Sequence, residues 1–140
     1  MVNDNLTLTG ALTISLNDVV VQKTNNLVVT AGKNWVADRM NNANTVMTHM
    51  ALGTGTNAAA VGDTTLQTEI DRNALTSTTV STNTIAYGCT WAAGDGTGAI
   101  TEAGLFDAAS SGDMLARTVF SVVNKGASDS ITITWTITIS

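Results

Sequence analysis

The stretch Ile131-Thr132-Ile133-Thr134-Trp135-Thr136-Ile137-Thr138-Ile139 decides the fold. Its odd positions are all apolar and its even positions all threonine. Successive side chains of an extended chain point to opposite faces, so this is a long strand with one apolar and one hydroxyl-bearing face. It contains no charge and no proline, and on an open edge such a strand would template aggregation. The expectation is that it is paired or covered.

Working outward, the same parity recurs in Ile85, Tyr87, Cys89 and Trp91, and more loosely between Met114 and Val123 through Leu115, Val119 and Val122. These read as further strands, with Cys89 and Trp91 on a core-facing parity beside the C-terminal strand. At the N-terminus Leu6, Leu8, Leu12, Ile14 and Leu16 alternate with polar residues around Gly10, followed by apolar runs at 19–21 and 27–29 on either side of Thr24-Asn25-Asn26. A meander of three or four strands fits this pattern. Thr30 can cap a helix from Ala31 to about Met40, with Trp35, Val36, Arg39 and Met40 on one face. A second short helix is expected from Asp63 to Ile70, and a strand from Met47 to Leu52 ahead of a tight Gly53-Thr54-Gly55-Thr56 loop. The expected fold is all-β: an antiparallel β-sandwich, jelly-roll-like, with one short α-helix near residues 31–40. One domain spans 1–140, and 1–25 is a possible N-terminal arm or set of extra strands. The expected core includes Trp35, Cys89, Trp91, Phe106, Phe120, Ile133, Trp135 and Ile137.

Composition agrees with a single folded unit. A chain of 140 residues and 14.4 kDa is one domain's worth, able to bury roughly two thirds of its unfolded surface. Hydrophobic residues make up 44% and charged residues 12%, about half the usual charged share of ~25%, which excludes charge-driven disorder. Threonine, at 25 positions, supplies much of the polar surface and favours strands. The net charge of -5 with six Lys and Arg leaves no basic surface to neutralise a run of phosphates, so nucleic acid is not an expected partner. No apolar run reaches the ~18 residues of a membrane span, and Met1-Val2-Asn3-Asp4-Asn5 lacks the basic and apolar regions of a signal peptide. A chain made and kept soluble in the cytoplasm, with no membrane partner, is the expectation. The lone Cys89 has no internal disulfide partner, which leaves stability to packing or to neighbouring chains.

The candidate chemical motifs each have a plainer reading. Gly53-Thr54-Gly55 resembles a phosphate-cradling loop, but no Lys-Ser/Thr pair follows and no parallel βαβ pattern surrounds it. Asp95-Gly96-Thr97-Gly98 with Glu102 offers oxygens to calcium without the spacing of an EF-hand, so a glycine-rich turn is favoured. Cys89 and His49 are the only thiol and imidazole; a Cys–His nucleophile is possible in principle, whereas a core thiol fits the parity better. His49 has too few companions for zinc. Asp63, Glu69, Asp71 and Arg72 could offer paired carboxylates, or simply a solvated ion pair. Trp35, Trp91 and Trp135 could line a carbohydrate surface, but their apolar parity favours packing. No nucleophile, base and oxyanion donor assemble, and no catalytic residue, metal or cofactor is expected.

From Asn26 onward the segments form an ordered series: Asn26-Leu27-Val28-Val29-Thr30-Ala31-Gly32-Lys33-Asn34, then 47–56 with Gly53-Thr54-Gly55-Thr56, then Asp63-Thr64-Thr65-Leu66 with Glu69. Ile100-Thr101-Glu102-Ala103-Gly104-Leu105-Phe106-Asp107 follows, then Leu115-Ala116-Arg117-Thr118-Val119-Phe120, Val123-Asn124-Lys125 and the closing Ile131 strand. This series, covering about four fifths of the chain, resembles a family of tailed-bacteriophage virion proteins often described as tail-fibre or structural proteins. The resemblance implies a non-enzymatic virion protein with a β-sandwich body, repeated on a symmetric particle. Fibre members usually append such a domain to long shafts. Here only about 25 residues precede the shared region, which fits a capsid decoration (cement) protein better than a fibre tip.

The expected partners are copies of itself, as a homotrimer at a symmetry axis, and the major capsid protein or other virion proteins. The expected location is the virion surface. Leu6, Leu8, Leu12 and Ile14, in an N-terminal bridging arm, are the candidate assembly contacts. A tail-fibre or baseplate protein is the alternative within the same class. A carbohydrate-binding adhesion module, which needs an aromatic side chain open to solvent in a groove, and a Cys–His hydrolase are the alternatives outside it.

Overall fold

The computed structural model describes residues 5–41 and 45–140. In chain order they form β1 (Leu8–Leu16), β2 (Val19–Asn25), β3 (Leu27–Val28), α1 (Thr30–Arg39), β4 (His49–Gly53), β5 (Glu69–Ala74), β6 (Ser77–Ser81), β7 (Thr84–Trp91), β8 (Gly98–Phe106), β9 (Met114–Lys125) and β10 (Ile131–Ile139). Two five-stranded antiparallel sheets result, ordered β2-β1-β10-β7-β6 and β3-β9-β8-β4-β5. The protein is an all-β sandwich with one short helix. Successive hairpins stay within a sheet, as in β1–β2, β4–β5, β6–β7 and β8–β9, and the chain crosses to the other sheet between them.

The alternating strand β10 lies at the centre of the first sheet, paired with β1 from Leu8↔Ile139 to Leu16↔Ile131 and with β7 from Ile131↔Trp91 to Thr138↔Thr84. Both of its backbone edges are thereby used, which removes the aggregation hazard of its composition. Its Ile131, Ile133, Trp135 and Ile137 are buried, with Leu12 and Ile14 of β1 and Tyr87, Cys89 and Trp91 of β7 beside them. The opposing layer comes from Val28, Met50, Leu52, Ile100, Ala103, Leu105, Leu115, Phe120 and Val123. Asn17 and Asp18, both at positive φ (50° and 66°), close the β1–β2 hairpin; their short polar side chains tolerate the left-handed region that a two-residue turn requires.

Several expectations are corrected. Of the two readings open for 1–25, residues 8–25 take the extra strands and not the arm: they are two strands of the first sheet, and β1 is one of its interior strands. The part of the proposed arm at Met1 to Asp4 lies outside the described residues. No helix forms between Asp63 and Ile70; an irregular segment leads into β5 from Glu69. The i, i+4 pairing of Leu66 and Ile70 is not used, since Leu66 is buried while Ile70 is 39% exposed. Helix α1 starts at Thr30 itself, behind Val29 in extended conformation, with no side-chain cap. Of its expected face, Trp35 and Val36 do pack half-buried against the core and Met40 is exposed, while Gly32 is the one fully buried residue of the helix.

Candidate functional site

Four pieces of the ordered series, the glycine loop, the Asp63 segment, Glu102 and Arg117, meet in one polar network. A bulge in the β8–β9 pairing between Ile100 and Glu102 changes which side chains face the core. Ala103 and Leu105 join the main core, while Phe106 packs with Val29, Ala51, Leu66 and Met114 in a second, smaller cluster. Glu102 points to this second side, fully buried. Its carboxylate accepts hydrogen bonds from the Gly55 amide at 2.8 Å, the Gln67 amide at 2.9 Å and the Thr68 amide at 2.8 Å. The Arg117 guanidinium adds two more, from Nε at 3.1 Å and Nη2 at 2.9 Å. Arg117 also donates to Asp63 Oδ2 at 2.8 Å and to the Asn57 carbonyl at 3.0 Å.

The glycine loop therefore cradles an anion, but the anion is the chain's own. A Cβ at Gly53 or Gly55 would lie 2.5 or 2.3 Å from Glu102 Oε2, so glycine at both positions is what lets the backbone close over the carboxylate. Burial pushes the Glu102 carboxyl up, but the Thr68 and Gln67 amides, Arg117 and the Gly55 amide together outweigh it and hold the group below the ordinary glutamate value. The arrangement ties the irregular 54–68 segment to the sheet. It engages Glu102 in five internal hydrogen bonds and uses four of the five Arg117 N–H donors, which is a structural arrangement rather than a reactive one.

The other candidates fall apart spatially. Glu102 is taken by this network and does not serve the Asp95 loop, which is a glycine-rich turn with Gly94 and Gly96 at positive φ. Asp63 pairs with Arg117, while Glu69 pairs with Arg72, whose guanidinium sits 3.7 Å above the Phe106 ring and donates to the Ala108 and Ser111 carbonyls. Cys89 Sγ approaches the Ala74 and Asn73 carbonyls at 3.5 and 3.7 Å, while His49 Nδ1 bonds the Thr48 hydroxyl at 2.7 Å. No hydrogen bond joins Cys89 to His49, and burial pushes the thiol up to about 12. A thiolate nucleophile has no support in this geometry.

Trp91 and Trp135 are completely buried, whereas Trp35, counted with the core from sequence, is only half-buried. It lies on the wall of an apolar groove of about 300 Å³ between α1 and the inner face of the first sheet, with Tyr87, Ile85, Val80, Ile137 and Arg39. The Trp35 indole N–H donates to the Thr45 carbonyl at 3.0 Å, and Arg39 lies 5.8 Å from the ring centroid. Of the candidate assembly contacts, Leu6 is 70% exposed and Leu8 half-buried beside this groove. Leu12 and Ile14 are excluded as contacts, because both are core residues at 1% and 0% exposure. The signal was present in their alternation, which marks a half-buried strand as readily as an arm.

Further apolar surface is exposed on the outer strands. Val19, Val20 and Val21 on outer strand β2 are 64%, 53% and 46% exposed, and Val80 on outer strand β6 is 69% exposed. The run at 19–21 marks extended chain in the sequence but not its exposure, because a short valine run has no period that separates core from surface. Comparison with family models, curated proteins and solved structures finds no match for this chain.

Proposed function

We propose that the chain is a non-enzymatic structural protein of a tailed-bacteriophage virion: a capsid decoration (cement) protein that binds the assembled shell from outside and stabilises it. It works in several copies, contacting the major capsid protein and its own neighbours on the particle surface after synthesis in the host cytoplasm. The observation that carries the reading is the convergence of the resembling segments. The Gly53 loop, Asp63, Glu102 and Arg117 lie far apart in sequence yet make one buried network, so the resemblance concerns a single folding unit rather than scattered likenesses. The charge-poor surface with exposed valines on its outer strands suits contacts made by apolar groups and strand edges.

The test is where the protein goes. Purified, labelled protein is mixed with intact heads and with isolated tails of particles assembled from the genome that encodes it, and each is sedimented. Saturable binding to heads, changed little between about 50 mM and 500 mM salt because few charges take part, is the expected result. Binding to tails alone moves the protein to the tail-fibre or baseplate class, and binding to neither overturns the reading. The groove beside Trp35 favours one second reading, an adhesion module that places a sugar ring or a similar apolar face against the half-buried indole. Quenching or shift of tryptophan fluorescence by host-surface glycans, abolished in Trp35→Ala, tests it.

A further inference from the structure

Each of the two sheets ends in two outer strands, and three of these four edges carry features that discourage another strand from pairing. Strand β2 has Lys23 and a register shift against β1. Strand β3 is two residues long. Strand β5 carries Glu69, Asp71 and Arg72 and an irregularity opposite Leu52/Gly53. Strand β6 has none of these: Ser77-Thr78-Thr79-Val80-Ser81 is uncharged, exposed at all five positions and in unbroken register with β7. We infer that β6 is the strand through which two copies of this chain pair, edge to edge, about a two-fold axis.

The backbone parity fixes how. Ser81 and Thr84 flank a two-residue turn, so they are a hydrogen-bonded pair, as are Thr79–Ala86 and Ser77–Gly88 two and four steps on. The N–H and C=O groups of Thr78 and Val80 therefore point away from β7 toward the open side. An antiparallel second copy centred on Thr79 sets Thr78 against the partner's Val80, so that all four outward groups of each pair are satisfied at once. The edge is self-complementary in a second way, because in a chain of net charge -5 it brings no charge against its own image. Val80 shares the inner parity of Ile85 and Tyr87, and the added strand covers it. Five residues bury less than the ~1,200 Å² of a stable interface, so the pairing is weak, with a Kd of roughly 10 µM to 1 mM, and gains strength when copies are already held on a common surface. The inference stands on β6 alone and does not depend on the virion reading.

Cross-linking tests the register. Thr79 lies on the axis in a non-hydrogen-bonded pair, where Cα atoms are ~4.5 Å apart and a disulfide fits. Thr79→Cys is expected to give a covalent dimer under mild oxidation. Ser77→Cys, whose two copies lie ~13 Å apart in this register, is not, and buried Cys89 does not compete. Sedimentation of the unmodified chain should show a concentration-dependent dimer. Val80→Lys, which charges the edge, and Thr78→Pro, which removes only an outward N–H, should each weaken it at least tenfold while the melting curve of the monomer holds. A monomer at all concentrations up to about 1 mM, an association that both substitutions leave unchanged, or equal cross-linking at 77 and 79 would overturn the inference.

Discussion

Glu102 and Arg117 stand on neighbouring strands in diagonal register, Arg117 opposite Gly104 and Glu102 opposite Val119, and meet as a fully buried ion pair at 2.9 Å. The pair is closed over by the 54–68 segment, whose backbone supplies three amide donors to the same carboxylate. Removing one member leaves the other charge buried and uncompensated, and such losses cost about 3–5 kcal/mol. Glu102→Gln is expected to destabilise by that order on urea unfolding. A double variant, Glu102→Gln with Arg117→Met, should cost less than the two single losses added, since neither then strands a full charge. Additive effects would mean that the two residues act independently.

The same pair sets an acid limit. The folded pKa of Glu102 lies below the ordinary value, so the carboxylate contributes stability that is fully present above the unfolded value of about 4.3 and is lost as pH falls through the lower, folded value. Unfolding free energy measured from pH 6 down to pH 2 should therefore drop more steeply for the natural chain than for Glu102→Gln, the difference narrowing as pH falls below about 4. Parallel curves over that range would show that another carboxylate governs acid unfolding.

The strands with strict alternation were legible because burial on one face leaves a period of two: β10 and β7 stand almost where Ile131–Ile139 and Ile85–Trp91 place them. The segment before β5 was misread because Asp63 and Leu66 resemble a capped helical turn, while their actual partners, Arg117 and the cluster around Phe106, lie far along the chain. The same separation hid the role of the Gly53 loop. A glycine pair signals close backbone approach, but only the fold reveals that what approaches is Glu102, 47 residues on from Gly55. The N-terminal alternation marks extended chain but left open whether it is an arm or part of the sandwich, since parity does not say which neighbour covers the apolar face.

Gly32 opposes helix propensity to packing. Alanine is favoured over glycine in a helix by about 1 kcal/mol, which taken alone predicts that Gly32→Ala stabilises α1. Its Cβ, however, would lie 2.1 Å from the Leu115 carbonyl oxygen and 2.8 Å from the Leu115 Cα. These are backbone atoms of β9 that no side-chain rotation can clear, so the helix must shift outward. Overpacking of this kind costs ~1–3 kcal/mol, and the net result expected is destabilisation by about 1 kcal/mol. A gain in melting temperature would show that α1 has room to slide on the sheet.

The tryptophans separate core from groove. Trp135 is fully buried at the centre of β10, and its indole N–H donates to Asn26 Oδ1 at 2.8 Å. Trp135→Ala leaves a cavity and deprives Asn26 of a partner, with an expected loss of about 3–5 kcal/mol. Trp35 is half-buried on the groove wall and tied to Thr45 through its N–H. Trp35→Ala removes one hydrogen bond and part of one face, with an expected loss of about 1–2 kcal/mol. Equilibrium urea unfolding of the two variants side by side decides the matter, because the comparison cancels errors common to both. A loss below about 1 kcal/mol for Trp135→Ala would contradict its place in the core. Equal losses at the two positions would mean that Trp35 is packed as tightly as Trp135, and would remove the open aromatic wall on which the adhesion reading depends.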